Sequence, residues 1–183
     1  MNPERWKRFF QKLSNEMTVD LIARDLKPSG SSINVKNSLP VFDALDLLEK
    51  HDCLITEDGK VLTKEWSLSK PVKTLFYAMI IELEYKLYKA LKPRVESVKD
   101  LQLLGFNDMI KLFFSDEELF KKQDIYSKKS EMKKDLKAIS SFRNMIMHSN
   151  KKMDLEAEFS TVLKRKMQII KLMDTLAQLY NLK

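Results

Sequence analysis

At 183 residues, 44% of them hydrophobic and 32% charged, the chain is long enough to bury a core without disulfide or metal staples. Its single cysteine, Cys53, excludes an internal disulfide framework and a cysteine-rich metal centre, and fits a reducing, cytoplasmic setting. A net charge of +7 points to an acidic partner, and three glycines against ten methionines point to a mainly helical chain with thioethers filling irregular gaps between helices.

In chain order, residues 3–14 read as a short amphipathic helix, with Trp6, Phe9, Phe10 and Leu13 at helical spacing and Pro3 in the first turn. No apolar run of signal-peptide length follows Arg5, Lys7 and Arg8, and no stretch reaches the roughly 18 apolar residues of a membrane span. Residues 18–26 are a second apolar-periodic piece, closed by Lys27, Pro28, Ser29 and Gly30. Residues 32–36 alternate like a strand. Ser38 is placed to cap a helix over residues 39–51 that turns Val41, Phe42, Ala44, Leu45, Leu47 and Leu48 inward, with His51 at its C-terminal dipole. Residues 53–56 and 61–63 then read as two strands joined by a turn with Asp58 and Gly59 at its centre.

Residues 67–71, with Pro71 at their end, mark a junction, so residues 1–70 are expected to form a small α/β unit and residues 71–183 a helical domain. Residues 72–91 form a helix that is apolar nearly all round, central to a bundle or part of a dimer interface. It carries Glu82 and Glu84. Residues 98–114 give a second helix with a break at Gly105, and Ser115 to Glu118 a capped helix start. Residues 130–148 form the motif helix, with Met132, Leu136, Ile139, Phe142 and Ile146 buried. Residues 154–182 close the chain as a long helix whose buried side includes Phe159, Val162, Met167, Met173 and Leu176. The four long helices with short connections describe a four-helix bundle.

The charge is uneven. Residues 1–70 hold eleven basic and eleven acidic groups, and residues 71–183 hold twenty-two and fifteen. The stretch 121–152 alone carries ten basic groups against three acidic. Lys133, Lys134, Lys137, Lys151 and Lys152 there are candidate contacts for a polyanion such as RNA, through counterion release; a solvated lysine face is the plainer reading. The same stretch contains Arg143, Asn144 and His148, the last being one of two histidines in the chain. Asn144 and His148 stack at i and i+4 on a helix, and Arg143 reaches the same volume. Arginine offers a permanent charge for phosphate, and histidine a proton exchangeable near neutral pH. A histidine bonded to a helix C-terminal carbonyl is the alternative.

Arg143, four intervening residues beginning with Asn144, and then His148, set between long amphipathic helices, resembles the motif of the HEPN family of helical nucleases, over residues 71–182. The resemblance implies a HEPN-like four-helix bundle and a metal-independent ribonuclease without cofactor. It further implies a homodimer with the two motifs facing each other, and toxin-like or antiviral RNA cleavage. Glu82 or Glu84 is then expected to face the motif helix and orient the arginine or histidine. Residues 18–66 resemble a single CBS motif, a half-unit of modules that sense adenosyl nucleotides, carried by residues 42–48 and 56–61. Thr63, Lys64, Glu65 and Trp66 depart from that pattern, since the aspartate that holds a ribose is missing. A winged-helix reading of the same helix and hairpin stays open. So does a second functional reading, a non-catalytic helical module that binds RNA, a nucleotide or a protein.

Overall fold

A computed structural model describes residues 30–95, 98–147 and 155–179. The expected helices at 3–14 and 18–26, and His148, Lys151 and Lys152, lie outside the described residues. Among the described residues the chain is mainly helical, with seven α-helices and one three-stranded sheet. It divides into two compact units. One contains the described residues 30–76 and 155–164, the other 77–95, 98–147 and 165–179.

The first unit is built on a strand, helix, strand, hairpin sequence. Strand β1 (Ser32–Val35) lies parallel to β2 (Cys53–Thr56), paired Ser32 to Cys53 through Val35 to Thr56, and β2 lies antiparallel to β3 (Val61–Thr63). The crossover is α1 (Val41–Lys50). Its Val41, Ala44, Leu45 and Leu48 are buried at i, i+3, i+4 and i+7, the spacing that gives a helix one apolar face. The helix begins two residues later than the sequence predicted. Pro40, with its fixed φ, occupies the N-cap and no side chain caps it, so Ser38 does not serve as the cap. At the other end the His51 N–H bonds to the Leu47 carbonyl.

The hairpin follows the predicted strands residue for residue. The Gly59 N–H bonds to the Thr56 carbonyl, and the Thr56 N–H to the Lys60 carbonyl, both at 2.9 Å. This is a three-residue loop ending in a left-handed glycine, Gly59 at φ 79°. The Thr56 hydroxyl bonds to the Asp58 carboxylate and accepts from the Lys60 N–H. A short 3-10 turn (Lys64–Leu68) buries Trp66, and Lys64 sits over the Phe159 ring. Leu54, Cys53 and Leu62 close the core from the sheet, and the Phe42 and Phe76 rings lie 6.0 Å apart.

The second unit takes most of α2 (Lys70–Leu91), then α3 (Val98–Leu103), α4 (Phe106–Ser115), α5 (Glu117–Lys121), α6 (Lys129–Met147) and the later part of α7 (Leu155–Gln178). The expected break at Gly105 is present, with Gly105 as the N-cap of α4. Asp116 caps α5, its Oδ1 accepting from Glu118 N–H and Leu119 N–H at 2.9 and 3.3 Å. Helix α4 packs against α6. Helix α6 is tied to α7 through Asp135, which accepts from Tyr126 Oη at 2.8 Å and from Gln168 Nε2 at 2.6 Å. Gln168 in turn accepts from Arg165. Burial and the Asp135 carboxylate push the Tyr126 phenol far above its ordinary value, so it remains a donor.

One expected core residue is misplaced. Met167 is 64% exposed, whereas its neighbour Lys166 is 5% exposed. Positions 162, 166, 169, 173 and 176 follow a 4-3-4-3 spacing that takes the core and leaves Met167 outside it. No helix of the described residues is long and apolar enough to cross a membrane.

A Cβ at position 59 would meet nothing within 4 Å, so the cost of Gly59→Ala is the left-handed backbone alone. We expect a loss of roughly 1 kcal/mol, with a smaller loss for Gly59→Asn, measured by urea unfolding.

Candidate functional site

On α6 the buried side chains Met132, Leu136, Ile139 and Ile146 recur at 4-3 spacing, and the position between the last two is Arg143. The register thus directs a guanidinium where an apolar side chain would otherwise pack. A carboxylate from α2 meets it: Arg143 Nε lies 3.0 Å from Glu84 Oε1. Both atoms are buried, yet the N–H is not aimed at the oxygen, so the contact is an ion pair rather than an aligned hydrogen bond. The Arg143 side chain remains 37% exposed and that of Glu84 20%, which leaves part of the arginine open to an incoming anion.

Burial raises the Glu84 carboxyl above its ordinary value, and the Arg143 charge opposes the rise without cancelling it. Glu82, the other expected acid, has different neighbours. Burial raises it as well, while Lys86 and Lys89 on its own helix pull it back. Lys86 is almost fully buried, and burial lowers its ammonium against the attraction of Glu82 and Asp174. Of the two acids, Glu84 joins the motif arginine and Glu82 joins a lysine cluster.

Asn144 is exposed, about 100° round α6 from Arg143. Lys133, Lys134 and Lys137 are exposed too, and Lys137, Ser141 and Asn144 follow one another at i+4 and i+3. With Lys133 and Lys134 one turn before Lys137, a stripe that is basic in its first turns therefore climbs the solvent face of α6 to Asn144 over about 16 Å. Lys133 Nζ also lies 5.9 Å from the centre of the Phe114 ring. In the first unit, the indole N–H of Trp66 is buried without an acceptor. Among the described residues no three His, Cys, Asp or Glu side chains gather as a metal site.

Sequence reasoning missed the outer face of α2. The helix read as apolar nearly all round leaves Ile81 47% and Tyr85 48% exposed. The rings of Tyr85 and Tyr88 are stacked with centroids 6.4 Å apart, and Lys89 Nζ lies 4.4 Å from the centre of the Tyr85 ring. The signal was present as Ile81, Glu84, Tyr85 and Tyr88 at i, i+3, i+4 and i+7, a face with phenol and carboxylate ends that need water or a partner.

These features define a mainly helical protein with a small α/β sheet unit and a charged helix pair at Arg143. Comparison with protein-family models, with curated proteins and with solved structures returned no match to the chain.

The raised carboxyls fix the sign of a pH effect. A group that holds its proton more tightly in the folded chain stabilises below its ordinary value, here 4.5, and that stability is lost as pH rises through the folded value. From pH 4.5 upward the wild type should therefore lose stability relative to Glu82→Gln/Glu84→Gln. Urea midpoints measured across that range should diverge, with the paired variant the flatter.

Proposed function

We propose that the chain is a metal-independent endoribonuclease of HEPN type, with its active site at a homodimer interface. The observation that carries the reading is the Arg143 and Glu84 pair. It holds a partly exposed guanidinium beside exposed Asn144, on the helix that leads to His148 in the sequence. In this reading an RNA 2′-hydroxyl attacks the neighbouring phosphorus. A histidine takes its proton, an acid protonates the departing 5′-oxygen, and Arg143 steadies the charge of the phosphorane. Asn144 fixes His148 or donates to a phosphate oxygen. Each chain offers one histidine to the motif, so the second acid–base group comes from a second copy. The products are a 2′,3′-cyclic phosphate and a 5′-hydroxyl. Lys133, Lys134 and Lys137, with Lys151 and Lys152 in the sequence beyond, draw the RNA backbone in.

A second reading is favoured by the same pair. A guanidinium on a core register position, met by a carboxylate on the neighbouring helix, is also what a purely structural cross-link needs. The chain is then a non-catalytic module that binds RNA, a nucleotide or a protein, with an adenosyl nucleotide at the N-terminal unit as one possible ligand.

Incubation of purified protein with structured and single-stranded RNA in EDTA separates the two. Cleavage leaving cyclic-phosphate ends, reduced by about 10²-fold or more in Arg143→Ala and His148→Ala, is expected of the nuclease. Full activity of His148→Ala would remove it. In the binding assay, Lys133→Gln/Lys134→Gln/Lys137→Gln should lower the slope of log affinity against log salt by about 2 for single strands.

A further inference from the structure

The outer face of α2 is left without a role by the cleavage chemistry, although it adjoins the arginine. Ile81, Glu84, Tyr85 and Tyr88 occupy one face of that helix, and Arg143 meets Glu84 within it. Neighbours at i+3 and i+4 have Cβ atoms about 5–6 Å apart. An exposed aromatic residue directly follows the carboxylate that a partly exposed, phosphate-seeking guanidinium meets. We propose that this face is a stacking platform for an unpaired nucleobase, with Tyr85 as its ring, Tyr88 supporting it and Arg143 holding the adjoining phosphate. Single-stranded RNA is then the substrate class. The proposal rests on the RNA reading above and adds to it a specificity residue.

Charge decides between RNA and a second protein surface. Lys89 lies over the Tyr85 ring and Glu84 sits in the middle of the face. A protein partner would take the ammonium out of water without supplying its counter-charge, and charged groups are depleted from the centres of such interfaces. A nucleotide supplies a π-face to the tyrosine and a phosphate to the lysine, which swings off the ring to reach it. Glu84 is already paired with Arg143. The exposed lysines of α6 extend the same preference for a polyanion.

The test uses full-length protein and a fluorescent 2′-O-methyl oligouridine, which lacks the attacking hydroxyl, alone and annealed to its complement. Wild type should bind the single strand more tightly than the duplex. Tyr85→Ala should weaken single-strand binding by roughly 5- to 100-fold while leaving the duplex affinity and the salt slope unchanged, because stacking carries no counterion term. Tyr85→Phe and Tyr85→Trp keep the ring and should restore binding. If wild type binds neither strand, the RNA reading itself falls and takes the platform with it. If wild type binds and folded Tyr85→Ala binds equally well, the platform alone is overturned. Sedimentation completes the set: a dimer that becomes a monomer in Tyr85→Ala would assign the face to a second copy and overturn the proposal.

Discussion

A cation placed on the buried stripe of a helix has to be met by an anion, and α6 places Arg143 there. Left unpaired there, the guanidinium would carry a desolvation cost that its 37% exposure lessens without removing. The register of α2 against α6 is therefore constrained by one contact between Glu84 and Arg143, in addition to the apolar packing around it. The same solution recurs in this unit. Lys86 occupies a buried position on α2 and is attracted by Glu82 and Asp174, and Asp135 collects the tyrosine and glutamine donors that tie α6 to α7. Apolar burial drives the helices together without direction. Charges with defined partners restrict which of the neighbouring registers is accepted.

That arrangement also bears on function. An arginine held only by Coulomb attraction, without an aligned hydrogen bond, has donors left for another anion. Glu84 sets where the guanidinium rests, and its raised carboxyl shows how incompletely Arg143 compensates for its burial. A phosphate arriving at Arg143 would compete with an already strained partner. The basic stripe ending at Asn144 gives such a phosphate a direction of approach along α6.

Much of the fold was legible in local chemistry. The Asp58 and Gly59 turn fixed the hairpin to the residue, because only glycine takes the left-handed position without strain. Gly105 marked the helix break, and the apolar spacing of α1 gave its inner face. What escaped depended on partners distant in sequence. Lys166 and Met167 are adjacent, and a helical period alone cannot decide which of two neighbours faces a helix whose approach is unknown; hydropathy chose the methionine, and packing chose the lysine stem. Glu82 and Glu84 posed the same difficulty. The deepest-looking acid belonged with lysines on its own helix, and the motif arginine found the other. The helix of residues 72–91 read as apolar nearly all round, although Ile81 and half of Tyr85 face water.

The chain's one cysteine lies in strand β2, 3% exposed, and burial together with the Asp52 charge pushes its thiol up. Thiol chemistry proceeds through the thiolate, so Cys53 is doubly protected while the sheet is closed. Opening of the strand exposes the thiol and removes burial, the larger cause of its raised value. Cys53 is thus a built-in clock for local unfolding of the small α/β unit, whose ticking a disulfide reagent can count without any label being introduced and without competing signal from another thiol.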